Sequence, residues 1–222
     1  PRLVVVDHHV LSGKCGDINL IDTAAASSGV VVFALLKKLG VPLNRELATH
    51  IYCTLVTDTG NFRYSNTNAD VLKLAETLVR QGVEPWVIAK NIYESYPIAR
   101  LKLMGKVLPT LEVSSDARYA SLLLTRKMLE ETGASSELSE EFVNFPRSVD
   151  TIEVSIFFRE VEDNFYKISF RSKNYVDVAA IAAQFEGGGH VRASGCKLKG
   201  TLGEVKKKIV AAVEEAFQSF TN

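Results

Sequence analysis

Cysteine is scarce: the 222-residue chain holds three, Cys15, Cys53 and Cys196, and no two stand in C-x-x-C spacing. So odd and scattered a set suggests neither a disulfide framework nor a cysteine-bound structural zinc, and a reducing, cytoplasmic compartment is expected. Long apolar runs are missing too. No stretch approaches the roughly 20 residues needed to cross a bilayer and no signal peptide opens the chain, so no membrane partner is expected within it. Nor is there an excess of charge, since 26 basic residues balance 26 acidic ones. That balance argues against coating long double-stranded nucleic acid through charge, and is compatible with a local basic pocket for a short anionic ligand. Internal repeats and low-complexity tracts are absent as well.

What is present suffices for a sizeable core, because 46% of the residues are apolar, and two modest domains are expected at this length. The opening stretch "PRLVVVDHHVLSGK" runs from Leu3 to Val6 through short, mostly β-branched residues, as buried parallel strands do. It ends in Asp7-His8-His9, where parallel sheets gather their ligands. No initiator Met precedes this run, and an interior strand lacks the neighbours that should come before it. The opening therefore reads as truncated.

Downstream, Ser27 and Ser28 offer N-caps to a helix through "GVVVFALLKKLG" that stops at Gly40, with Pro42 behind it. Asn44 opens a second helix with Leu47, Ile51, Leu55 and Val56 on one stripe, ending at "TDTGNFRYSNT". "NADVLKLAETLVRQG" forms a third, closed by Gly82. Beyond Tyr96 the texture changes to short strands and turns. "RYASLLLT" reads as a strand, and "TIEVSIFFREVEDNFYKISFRSK" as a hairpin turning at Glu162-Asp163-Asn164. Its alternation puts Ile152, Val154, Ile156 and Phe158 on one face with Tyr166, Ile168 and Phe170. Arg159 and Arg171 then point the other way, with Arg159 opposite Lys167 and Arg171 beside Ser169, giving a cationic face. A helix through "VDVAAIAAQF", the turn "EGGGHVRASG", a strand "CKLKG" and a helix opened by the capping box Thr201-x-x-Glu204 complete the chain.

Three constellations carry chemistry. Asp7-His8-His9 supplies imidazoles and a carboxylate that suit a metal; the residues alone equally suit strand-end caps. Asp58 in "VTDTG" reads as an ordinary helix end, or as a carboxylate bridging two cations of the kind that clamp a phosphoester between them. In "EGGGH", Glu186 to His190, three glycines let backbone amides approach an anion and His190 adds a donor. Phosphate binding is preferred there to a flexible turn.

"VVVDHH", "TDTGNFRYSNT", "SFRSK" followed by "VDVAAIAAQF", and "GGGHVRASG", in this order, resemble the DHH-family phosphoesterases that carry a DHH-associated C-terminal domain, and among them the bacterial nanoRNase and pAp phosphatase group. The resemblance runs from Val4 almost to the end of the chain. It implies an α/β fold: the C-terminal part of a parallel-sheet DHH domain at residues 1–95, a linker at 96–105, and a smaller α/β substrate-binding domain with a mixed sheet at 106–222. It implies two Mn²⁺ ions, with Mg²⁺ or Co²⁺ as alternatives, held in part by His8 and Asp58, while Asp7 and His9 complete the catalytic set. Arg171, Gly188, Gly189 and His190 match the positions that hold the substrate's phosphate and terminal nucleotide, with Arg159 and Ser172 as further contacts.

The substrates so implied are short oligonucleotides or 3′-phosphoadenosine 5′-phosphate (pAp). The alternatives are a cyclic- or linear-dinucleotide phosphodiesterase of the same superfamily, or a nucleotide-binding module without turnover. A homodimer is compatible with either. Two departures stand out. Many similar sequences have glycine where this chain has Glu186, and the family's N-terminal Asp-x-Asp motif is not found within residues 1–222. The expectation is accordingly that residues 1–222 alone bind manganese weakly, hydrolyse little, retain affinity for pAp, and associate through an uncovered sheet edge.

Overall fold

The structure, a computed structural model, describes residues 2–9 and 16–218, so Cys15 lies outside it. The chain divides into two compact units, Pro1–Ser95 and Tyr96–Asn222.

In the first unit, strand β1 (Val4–Asp7) pairs in parallel with β2 (Ile18–Ile21), in the register Val4 to Ile18 and Asp7 to Ile21. The sequence reading has only a loop at β2, whose four residues are too few to show a period. Four helices follow: α1 (Ser28–Lys38), α2 (Arg45–Asp58), α3 (Ala69–Arg80) and α4 (Pro85–Tyr93). Helix α2 is central because Ala48, Ile51, Tyr52, Leu55 and Val56 are all buried, the i, i+3, i+4, i+7, i+8 spacing of an apolar stripe. Asn44 and Asn68 cap α2 and α3, accepting from the Leu47 and Val71 amides at 2.9 and 3.0 Å. Ser27 stands at the N-cap of α1 but makes no capping bond; its hydroxyl lies 3.1 Å from that of Thr54 on α2. Helix α1 lies tightly on α2 there, since a Cβ on Gly29 would come within 2.0 Å of Thr54 Oγ1.

The second unit begins with α5 (Ile98–Val107), which replaces the expected linker at 96–105: Leu103 and Val107 are fully buried in the unit's core. Then come β3 (Glu112–Val113), β4 (Tyr119–Leu124), α6 (Arg126–Thr132), α7 (Asn144–Arg147), β5 (Val154–Glu162), β6 (Phe165–Ser172), α8 (Val178–Ala183), β7 (Gly188–His190), β8 (Ala193–Lys199) and α9 (Leu202–Gln218). The strands form one mixed sheet in the order β3-β4-β5-β6-β8-β7, parallel only between β4 and β5. The fold class is therefore α/β, with a two-stranded parallel sheet and a six-stranded mixed one.

Alternation decides what each face of the large sheet covers. Val154, Ile156, Phe158, Tyr166, Ile168, Phe170 and Cys196 pack on one side against α8 and α9. On the other side Leu122, Leu124 and Phe157 meet α5 and the segment around Phe142 and Val143. The hairpin turns at Asp163-Asn164, with Asn164 at φ 56°. The Thr201–Glu204 capping box forms as the spacing predicts: the Thr201 amide donates to Glu204 Oε2 at 2.8 Å, and the Glu204 amide returns to Thr201 Oγ1 at 3.4 Å.

Between β6 and α8 the backbone of 174–176 is clamped from both sides. Glu153, only 4% exposed, accepts from the amides of Asn174, Tyr175 and Val176 at 2.8–3.0 Å and from Asn174 Nδ2 at 3.1 Å. Arg192 donates to the carbonyls of Val176, at 2.9 Å, and Asn174. Removing a buried acceptor strands its donors. Glu153→Ala is expected to lower stability by about 2–4 kcal/mol, measured as a shift of the urea unfolding midpoint; a change near zero would mean that water takes over all these donors.

The last three residues of "EGGGH" form strand β7 at the sheet edge in place of the expected loop. Added Cβ atoms on Gly187 and Gly189 would stand 2.3 Å from Gly195 O and 2.5 Å from Ala193 O, so close pairing with β8 demands both glycines. Gly188 has nothing within 4 Å. Glu186, just before the strand, has φ 57°, a left-handed conformation that suits glycine better than glutamate. Glu186→Gly is expected to raise the unfolding midpoint, because relief of about 1–2 kcal/mol of left-handed strain exceeds the roughly 0.4–1 kcal/mol lost to a freer unfolded chain. A lowered midpoint would show that Glu186 makes a stabilising contact.

Candidate functional site

Strand β1 carries its three polar residues to the end of the parallel pair, and each has a defined task. Asp7 Oδ1 accepts from the backbone amides of His8 and His9 at 2.7 and 3.2 Å and from His9 Nδ1 at 2.7 Å. The His9 side-chain bond, aided by the two amides, brings the Asp7 carboxyl down to about 2, so it is ionised at any working pH. His8 Nδ1 lies 3.1 Å from the Ala25 carbonyl. A carbonyl only accepts, so Nδ1 carries a proton. The ring's other nitrogen, Nε2, faces Asp58 Oδ2 at 3.5 Å.

Two electron-pair donors held this close require a proton or a metal cation between them. An imidazole whose far nitrogen is fixed by a backbone carbonyl is the usual form of a metal-binding histidine, so His8 and Asp58 fit a divalent cation. Asp58 is also the last residue of α2, whose last turn holds no basic side chain. A carboxylate there opposes the helix dipole by about 0.3–1 kcal/mol. A cation beside it removes that cost.

Residues that the sequence reading passed over hold these groups in place. Asn66 Nδ2 donates both to the Asp58 carbonyl at 3.0 Å and to the Ala26 carbonyl at 3.2 Å, while the neighbouring Ala25 carbonyl orients His8. Buried Thr59 donates to the Leu55 carbonyl and accepts from the Phe62 amide at 2.9 Å. Gly60, Asn61 and Phe62 follow with φ of 57°, 61° and 61°. Left-handed backbone at Asn and Phe is strain stored beside Asp58. The motif "TDTGNFRYSNT" contains Asn66 but gives no sign of these two bonds.

In the second unit, Arg159 and Arg171 line one recess of about 210 Å³, with Lys167, Ser169, Ser139, Glu140, Glu141, Val143 and Phe157. Gly188 lines a neighbouring recess with Lys167, Lys197, Gly195 and Glu186. His190 pairs with Ala193, and Ala193 with Arg171, so His190 and Arg171 lie in one cross-strand row. Arg171 Nη1 donates to the Phe170 carbonyl at 3.0 Å, and Arg159 Nη1 to that of Ser136 at 3.3 Å. Gly189 lies on β7 with Gly188 and serves the close contact with β8. Ser172 does not belong with this group. It alternates onto the opposite face from Arg171, is 1% exposed, and points its hydroxyl at the Val191 carbonyl, 3.4 Å away. The two described cysteines are no nucleophiles at neutral pH, because burial pushes both thiols up, Cys196 to about 11.

Residues 119–219 match the DHHA1 domain. The bifunctional oligoribonuclease and PAP phosphatase NrnA of Thermus thermophilus is 34% identical over 214 residues, which cover 96% of this chain and 64% of that protein. The protein of the same name in Bacillus subtilis is 30% identical over 200 residues, 89% of this chain and 63% of that one. The crystal structure of an exopolyphosphatase-related protein from Bacteroides fragilis superposes with a TM-score of 0.85 at 31% identity, covering 98% of this chain and 63% of that one. The chain thus spans under two thirds of the length of each of these relatives. No described helix is long and apolar enough to cross a membrane. With Asp7-His8-His9 closing its first strand and a DHHA1 domain matched across most of its second unit, the chain is similar to DHH-family proteins that carry that domain.

Proposed function

We propose that the protein, at its natural length, is a manganese-dependent phosphoesterase that hydrolyses short oligonucleotides and pAp. The observation that carries this reading is the approach of His8 Nε2 to the Asp58 carboxylate at 3.5 Å, His8 being fixed from behind by the Ala25 carbonyl. Relatives named for oligoribonuclease and PAP phosphatase activity support it.

His8 and Asp58 would hold a divalent cation, with the ionised Asp7 keeping His9 oriented beside them. Bound cations supply Lewis acidity, easing ionisation of water and neutralising charge on the phosphoryl oxygens. The remaining work belongs to the chain. Arg171 is a fixed cation that holds a terminal phosphate, the open backbone at Gly188 admits it closely, and His190 lies in the Arg171 row as a further donor. Neither unit needs to read a base, so substrates are chosen by phosphate position and length more than by sequence.

Assayed at natural length, His8→Ala and Asp58→Ala are expected to abolish Mn²⁺-dependent turnover of pAp and a dinucleotide, with the circular dichroism spectrum unchanged. Asn66→Ala, which removes only the support, should weaken manganese binding about 10- to 100-fold, read by calorimetric titration. Unaltered metal binding in all three variants would remove the site from this position.

Arg171→Ala is expected to leave metal binding intact and raise KM for pAp by roughly ten- to a hundredfold, as for removal of a charge-assisted hydrogen bond of about 1.5–3 kcal/mol. Wild-type kinetics would exclude the phosphate role. Tight binding of pAp with no turnover in the unaltered protein would point instead to a nucleotide-binding module.

A further inference from the structure

The register of the six-stranded sheet sorts the face turned away from α8 and α9 into rows. One row is Arg159, Lys167 and Lys197, directly opposite one another on β5, β6 and β8. Two residues along, Phe157 on β5 is followed by a low stretch of Ser169, Gly195 and Gly188; two further lie Arg171, Ala193 and His190. The outer rows are four residues apart along the strands, about 13 Å. The floor between them is open, since Gly195 and Gly188 carry no side chain and a Cβ on Gly188 would meet nothing within 4 Å.

Like charges placed directly opposite across strands destabilise a sheet, and this row sets three cations side by side. Glu140 and Glu141 line the recess with Arg159 and Lys167, and Glu186 the one with Lys167 and Lys197. Yet among the described residues no ion pair engages Arg159, Lys167 or Lys197. Lys167 borders both recesses, so the row is continuous with the Arg171 recess. Such repulsion is relieved when an anion lies over the row.

Resting on the phosphoesterase reading above, we infer that Arg159, Lys167 and Lys197 form a second subsite, which takes an internal backbone phosphate of an oligonucleotide whose end is held by Arg171. The two phosphates of pAp share one nucleoside and do not reach both rows. A stacked strand advances about 3.4 Å per nucleotide, so four steps span the gap, and fewer if the strand is extended. The row therefore favours oligonucleotides of several residues and is indifferent to pAp.

The test compares Lys167→Ala/Lys197→Ala with the unaltered protein, both at natural length, on pAp and on a 5′-phosphorylated pentaribonucleotide. The pentanucleotide KM is expected to rise about tenfold, and its logarithmic salt slope to flatten by about 0.7, the share of one phosphate that the lysines no longer neutralise. Values for pAp should stay within twofold. The melting midpoint should hold or rise as repulsion is relieved. Equal losses on both substrates, no loss on the pentanucleotide, or a lowered midpoint would overturn the subsite while leaving the phosphoesterase reading standing. An unaltered protein that turns over neither substrate would overturn both.

Discussion

The side-chain alternation of β6 is the constraint on which the second unit depends. The strand is hydrogen-bonded on both edges, to β5 and β8, so its register fixes theirs. Tyr166, Ile168, Phe170 and Ser172 face the helices, and Lys167, Ser169 and Arg171 face the opposite way. A slip of one residue would put Phe170 where Arg171 stands and drive a guanidinium into the core. The apolar packing on one side is thus what aims the cations on the other.

The first unit solves the same positioning problem with backbone carbonyls. Residues 25–27 hold three separate groups: Ala25 takes His8, Ala26 takes Asn66, and Ser27 meets Thr54. Asn66 in turn grips the carbonyl of Asp58. The end of a strand and the end of a helix are therefore referred to one short stretch of main chain, which side-chain substitution cannot easily disturb. The left-handed run through Asn61 and Phe62 is the local cost of turning the chain away so sharply after Asp58.

Much of this was legible in the sequence where one physical signal dominated. The hairpin register, down to Arg159 opposite Lys167, followed from strict alternation and a polar turn. Helix α5 was not legible, because Ile98 and Leu101 are 67% and 59% exposed while Leu103 and Val107 are buried. Apolar residues on both faces erase the period that would announce a helix. Asn66 could not be assigned from sequence because it acts on main-chain carbonyls 8 and 40 positions away. Ser172 failed for the opposite reason: adjacency to Arg171 in a strand guarantees the opposite face.

The three glycines at and just before β7 look like one motif and are two. Gly187 and Gly189 exist for the backbone of β8, which leaves no room for a Cβ, whereas Gly188 fronts open space. A lineage could therefore explore side chains at Gly188 without disturbing the sheet edge, while changes at its neighbours would be purged for reasons unrelated to ligand. Divergence of ligand preference within this architecture has a single permissive position through which to begin, flanked on both sides by residues that the fold itself keeps fixed.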